Sequence, residues 1–342
     1  MIKKILIILH PELNPTGSKF IKKSDRDNYS WMCEYDVMNT LQDLGHIVYI
    51  QEVEFDLKPI KQAIEKYNPD VVFNLLEQLN NEAVMDSNIV AYLETLNIAY
   101  TGCSSKALMI ARDKALSKKI LTYHGVSTPR FEIYPLKSKT KISSTLSFPL
   151  IVKCLNEEAS LGISKSSIVS NNEELVQRVG YVHRKFQTHV IVEEFIEGKE
   201  YFVGVLGVEK IKTLPVWELV YKNTNTPEKE IYSEKAKFNK IYRQKLGVNS
   251  QKAKISDVLE KKLKSISREV YRVLKLDSYG RIDFRVTLSG DIYVLEANSN
   301  PNLALDDEFA LSAIYQGISY EELINSLIHQ AIRKSSSLVA RL

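Results

Sequence analysis

Three cysteines, Cys33, Cys103 and Cys154, are all the thiols in 342 residues. Odd in number and scattered, they fit neither a disulfide framework nor zinc-ligand spacing, and they point to a reducing compartment. No apolar run approaches the ~18 residues of a membrane span. The run inside the opening MIKKILIILH is too short for a signal peptide and no A-x-A site follows it, so no membrane contact and a cytoplasmic location are expected. Charge of one sign is scarce too, at a net +4. The densest basic run, Lys261-Lys262-Leu263-Lys264, reads at helical spacing as a solvated face, so nucleic acid is not expected as a partner. His10, His46, His124, His183, His189 and His329 show no metal-ligand spacing and read as structural or surface residues. A glycine fingerprint is missing after the first apolar run, where HPELNPTGSK stands, which argues against a dinucleotide site in the N-terminal third.

What remains is an ordinary globular composition, 44% hydrophobic and 26% charged, in a chain too long for one core, so two or three domains are expected. Residues 4–9 are continuously apolar, as for a strand buried on both faces. Residues 29–44 space Trp31, Tyr35, Met38 and Leu41 helically and stop at Gly45. A strand at 46–51, a helix at 57–67, a strand at 70–74 and a helix at 88–96 complete an alternation that predicts an open parallel sheet. Further on, Ala111-Arg112-Asp113-Lys114 opens a helical run to residue 123. Long amphipathic helices are predicted over 256–274 and 320–333, with Ser335-Ser336-Ser337 frayed.

The stretch YGRIDFRVTLSGDIYVLEANSNPNL, residues 279–303, predicts a hairpin turning at Ser289-Gly290-Asp291. Residues two apart on a strand share a face, so Arg281, Asp283 and Arg285 project together, as do Glu296 and Asn298 on the return. A single acid at a strand end is usually just solvated. Two carboxylates and an amide oxygen meeting across one turn form a hard oxygen set suited to Mg²⁺ held together with substrate phosphates. Upstream, Lys153 ends an apolar strand before a loop of small residues, and such a loop can offer backbone N–H groups to phosphate. The loop has few glycines, so read alone it is a weak phosphate signal and more simply a plain hairpin loop. A strand edge at Glu193, Glu194, Phe195 and Ile196 can pair with adenine through its backbone, with Glu200 accepting from ribose hydroxyls; the spacing does not decide it.

Set in order, the pieces resemble the ATP-grasp superfamily, and most closely its D-alanine:D-alanine ligase branch. The matching segments are VFNLL, NIAYTGCSSKALMIARDKALSKKIL, FPLIVK, ASLGISK, VEEFIEGKEYFVGVLG and GRIDFRV…GDIYVLEANSNPNL, over the last two-thirds of the chain. The resemblance implies an N-terminal open α/β domain, residues 1–102, then two α+β subdomains clasping ATP, a central lid of residues 103–200 and a C-terminal one of residues 201–342. It implies an ATP-dependent carboxylate–amine ligase that passes through an acyl phosphate, with ATP and Mg²⁺ or Mn²⁺ as cofactors. Amino acids or peptides would be the substrates, and a homodimer would form through the N-terminal domain. By position, Lys114 and Lys153 match the lysines that hold ATP phosphates, and Ser160 and Gly162 the loop over the γ-phosphate. Glu193, Glu194, Phe195 and Ile196 match the adenine frame, Glu200 the ribose contact and Lys237 the mobile-loop lysine. Asp283, Glu296 and Asn298 match the metal ligands, and Arg281 the arginine steadying the acyl phosphate.

Several positions depart from the D-alanine pattern. HPELNPTGSK lacks the branch's glycine pair and its glutamate, for which Glu12 is a displaced candidate. Ala159 replaces a serine and Phe238 a tyrosine. Asn302 stands at the oxyanion glycine, and Asp307 where a serine would bind the acceptor carboxylate. An aspartate repels a free carboxylate and suits an amine or cationic acceptor. The sequence therefore predicts retained ATP machinery with both substrate pockets rebuilt; the alternatives are an ATP-grasp phosphoryl transferase or carboxylase, or a non-catalytic nucleotide-binding module.

Overall fold

In the computed structural model, which describes residues 1–16, 29–138, 145–156 and 161–339, the isoleucine-rich run forms β1 (Lys4–Leu9). Strands β2 (Ile47–Glu52) and β3 (Val71–Asn74) flank it in parallel, in the order β2-β1-β3. Alternate residues of β1 feed two different cores, which is why the run is apolar throughout. Ile5, Ile7 and Leu9 pack with Val37 and Leu41 of α1 (Met32–Asp43) and with Leu323, Leu327 and Ile328 of the last helix, α11 (Tyr320–Val339). Leu6 and Ile8 pack instead with Ile60 and Ala63 of α2 (Lys58–Tyr67) and Ile89 and Leu93 of α3 (Asp86–Thr95).

Helix α1 keeps half of its predicted face: Met38 and Leu41 are buried, whereas Trp31 and Tyr35 are only partly so, and Glu34, Asp36, Val37 and Thr40 are buried as well. The predicted helix through Asp113 is broken there into α4 (Ser105–Arg112) and α5 (Lys114–Tyr123). Asp113 is extended, and its carboxylate accepts from the Ala115 and Leu116 N–H groups, so an N-cap wins over helical continuation.

The middle sheet is antiparallel, in the order β4-β7-β5-β6, from β4 (Phe131–Tyr134), β5 (Leu150–Cys154), β6 (Ile168–Val169) and β7 (Val190–Glu194). Leu175, Val179 and Val182 of α6 (Asn172–Phe186) cover one face. The third sheet, also antiparallel, runs β10-β9-β8-β11-β12 from β8 (Lys199–Leu206), β9 (Lys212–Tyr221), β10 (Val248–Lys252), β11 (Tyr279–Val286) and β12 (Ile292–Ser299). Between β9 and β10 lie α7 (Glu234–Phe238) and α8 (Lys240–Leu246). Val203, Val205, Ile282 and Phe284 share a core with α9 (Asp257–Val273) and with Cys103, Ala107 and Leu121 around α4 and α5. Helix α10 (Glu308–Tyr315) places Phe309 against Leu206, Leu214 and Tyr279. The tail predicted to fray keeps a helical backbone to Val339. Among the described residues no helix is long and apolar enough to cross a membrane.

Candidate active site

The two antiparallel sheets supply the groups between them. The β11/β12 hairpin is not regular. From Val286↔Ile292 to Phe284↔Val294 the pairing keeps one register, but Asp283 faces Glu296 and Arg281 faces Asn298, with Leu295 left over as a bulge. One extra residue turns every later side chain to the other face. Without the bulge Glu296 would lie opposite Ile282; with it, Glu296 and Asn298 share the face of Arg281 and Asp283. Arg281 grips Asp283 with two hydrogen bonds, 2.8 and 3.0 Å, and Asn298 donates its amide to Asp283 Oδ2 at 2.9 Å.

Carboxyls and cations crowd this face. Burial, with Glu296 and Glu200 adding to it, pushes Asp283 up to about 7 against the pull of Arg281. Burial also works against ionising Glu296, yet Lys114, Lys153, Arg281 and Lys118 outweigh it and hold that carboxyl below its ordinary value. Two carboxylates and an amide, which presents oxygen when turned over, fit a hard divalent ion with open positions for substrate oxygens. Among the described residues no group of three or more His, Cys, Asp or Glu forms a metal cage.

Facing the hairpin is a buried triad. Glu193 on β7 takes Lys153 of β5 at 2.9 Å on one oxygen and Lys118 of α5 at 3.4 Å on the other; Glu193 and Lys118 are each only 1% exposed. The Glu193 side chain is thus engaged by two lysines rather than turned toward a base. Lys114, one turn before Lys118, is buried as well and bears electrostatically on Glu296.

Past β7 the chain crosses to β8 through Phe195 and Ile196. Arg285, 3% exposed, fastens this strap. It donates to Ile196 O at 3.0 Å, to Glu200 Oε2 at 3.2 Å and to the carbonyls of Glu228 and Glu230, and it lies 5.0 Å from the Phe195 ring centroid. Glu194 is turned outward to Arg130, which grips it through Nε at 3.0 Å and Nη2.

The loop before β6 meets α7. Gly162 N–H donates to Glu234 Oε2 at 2.7 Å, Glu234 N–H to Ile163 O at 3.1 Å, and Lys165 reaches Glu230 at 3.0 Å. Ser160 and Ala159 lie outside the described residues. Lys237 on α7 bears electrostatically on Asp307 and Glu308.

On the far side of Arg281, Glu308 stands 3.7 Å from its guanidinium. Burial and the Glu308 carboxylate push Asp307 well up; Glu308 itself, despite burial, is held down chiefly by Arg281. Asp307 occupies the cap position of α10 without capping it, and its buried Oδ1 has no partner. Asn302 is exposed and accepts from the Ala304 N–H. Glu12 is exposed on a single 3-10 turn, and among the described residues its side chain pairs with none of these groups. The structure therefore brings Lys114, Lys153, Glu193, Arg281, Asp283, Glu296 and Asn298 together and leaves Glu12 apart.

Sequence reasoning passed over Lys118, Glu308, Arg285 and Glu34. Lys118 carried a readable signal, since Lys114, Lys118 and Leu121 fall on one helical face. Arg285 lay on the same strand face as Arg281 and Asp283. Glu34 carried none, because burial of an acid in α1 depends on its neighbours.

Comparison with known proteins converges on one family. The family described as "D-ala D-ala ligase C-terminus" matches residues 114–329. A D-alanine–D-alanine ligase of Aquifex aeolicus is 32% identical over 292 residues, 85% of this chain and 92% of its own length. An uncharacterized protein of Sinorhizobium fredii, y4sG, is 30% identical over 87% of each chain. The crystal structure of D-alanine–D-alanine ligase from Bacillus anthracis complexed with ATP superimposes with a TM-score of 0.75 at 21% identity, over 98% of this chain and 99% of that one, a likeness of fold. The chain belongs to the D-alanine–D-alanine ligase family, ATP-dependent carbon–nitrogen ligases of the ATP-grasp fold.

Proposed function

We propose that this chain joins a carboxylate to an amine through an acyl phosphate, on a substrate pair other than two D-alanines. The observation that supports the ligase chemistry most directly is the bulged register that sets Glu296 opposite Asp283 beneath Lys114, Lys118 and Lys153. In this reading Lys114 and Lys153 bind the nucleotide phosphates, and the loop at Ser160 and Gly162 covers the γ-phosphate. The strap at Glu194, Phe195 and Ile196 lines adenine, and Glu200 accepts from ribose. Asp283, Glu296 and Asn298 would hold Mg²⁺ or Mn²⁺, which when bound neutralises charge on the phosphate oxygens.

The donor carboxylate attacks the γ-phosphorus and ADP leaves. Arg281, anchored by Asp283, stays beside the acyl phosphate while the amine attacks its carbonyl and phosphate departs. Lys237 enters from α7. The contact between Gly162 and Glu234 closes the site over the reactive intermediate and excludes water. Such fixed charges contribute on the order of 3 kcal/mol each to the transition state. The domains are read as residues 1–102, 103–200 and 201–342, in a cytoplasmic protein, with α4 and α5 sharing the core of the third.

The acceptor pocket supports a changed substrate. Glu308, with Asp307 beside it, holds the charge of the pair next to Arg281, where a free carboxylate would be repelled and an amine or cationic group attracted. The names of the relatives favour a second reading, D-alanine dimerisation itself. The test is ADP and phosphate release with ATP and Mg²⁺ over a panel of carboxylate and amine pairs. The expected result is phosphate release with a cationic acceptor and little with D-alanine alone; efficient D-alanyl-D-alanine formation overturns the changed substrate. A phosphorylated product without free phosphate overturns the ligase.

A further inference from the structure

We propose that Lys118 is a positioning residue that fixes the metal-ligand register of β12 and ties the middle sheet to it. The inference rests on the reading of Asp283, Glu296 and Asn298 as metal ligands. Lys118 Nζ donates at 2.7 Å to the carbonyl of Leu295, the one residue of β12 that has no opposite number on β11. The same ammonium pairs with Glu193 at 3.4 Å, and Glu193 holds Lys153 at 2.9 Å. One buried nitrogen therefore touches the bulge on one sheet and the lysine clamp on the other.

Burying an ammonium is costly unless it is fully paired, and a methionine of similar length would fill the same space without that cost. Burial does work against protonating Lys118, with Glu193 opposing it, so the charge is held at a site that resists it. What the charge gives in return is geometric. A bulge leaves local backbone groups outside the regular ladder, and a buried carbonyl needs a donor. With its donor removed, the bulge at Leu295 loses the contact that marks its position. Closing the bulge into a regular ladder returns Glu296 to the position opposite Ile282 and carries Asn298 to the other face with it. Lys118 touches neither metal nor nucleotide in this account; it acts through Leu295 and Glu193.

The test uses the full chain with the non-hydrolysable analogue AMPPNP and Mn²⁺ as the spectroscopic probe. Mn²⁺ affinity is read by electron paramagnetic resonance, and hydrogen exchange is followed over residues 292–299. Wild-type protein with AMPPNP is expected to bind Mn²⁺, and Asp283→Asn to lose it; failure of either sinks the metal-ligand reading itself. Lys118→Met is expected to weaken Mn²⁺ binding by about tenfold or more and to speed exchange at Leu295 and Glu296, the scale at which residues supporting metal ligands act. Lys118→Gln, which keeps a donor without the charge, is expected to lose less affinity, and it carries the measurement should Lys118→Met fail to fold. If Asp283→Asn abolishes binding while neither Lys118 variant changes Mn²⁺ affinity, the positioning role is overturned and Lys118 is packing alone.

Discussion

Replacing Glu34 by Gln should stabilise the protein near neutral pH and remove most of a specific pH dependence. Glu34 is 5% exposed on the inner face of α1, and its Oε2 has no hydrogen-bond partner. Burial, and to a lesser degree Glu77, pushes its carboxyl from 4.5 up to about 8, against the pull of its own backbone N–H. Between those values the unfolded chain gives up a proton that the native chain keeps, so native stability falls as pH rises from about 4.5 to about 8 and is level beyond. At roughly 1.36 kcal/mol per unit, 3.5 units amount to about 5 kcal/mol by pH 8 and about 3 kcal/mol by pH 7. Guanidinium denaturation of both proteins at pH 5, 6, 7 and 8, followed through Trp31 at the start of α1, measures it. The difference between variant and wild type should widen by about 1 kcal/mol per pH unit. A difference that stays constant over that range would refute the reasoning, since a packing change carries no protons.

Three further outcomes follow from the site. Arg285→Met leaves up to four buried oxygens without their donor, so the melting temperature should fall and the KM for ATP rise about tenfold; Arg285→Lys should restore little, because an ammonium cannot span the fork. Glu308→Gln should lower kcat/KM for a cationic acceptor by about tenfold or more with the KM for ATP unchanged, and an equal loss for neutral acceptors would count against a charge-selective pocket. Gly198→Ala puts a Cβ into the Val286 carbonyl, so thermal melting should drop by several degrees; an unchanged melting curve would mean that the strap yields freely.

The hairpin was legible because two strands that each keep a face to the site alternate visibly, and Asp283, Glu296 and Asn298 could be named from that alternation alone. Their meeting was legible only in part. The bulge at Leu295 exists only relative to the opposite strand, so no pattern along β12 reveals it. The parallel sheet was readable because β1 feeds two cores and is apolar at every position from Ile5 to Leu9. Asp113 misled for the opposite reason: its neighbours have good helical spacing, and the break comes from a carboxylate finding N–H groups two and three residues ahead. Glu34 and Glu193 show the limit most clearly, since the burial of an acid and the partners it finds depend on packing that no local pattern records.

The hydrogen bonds joining Gly162 and Ile163 to Glu234, and Lys165 to Glu230, make one gate of two strands of chain far apart in sequence. Neither half can swing away alone without abandoning its partner. Under the proposed function the two would open as one, and weakening either half should quicken product exit while leaving the intermediate more open to hydrolysis.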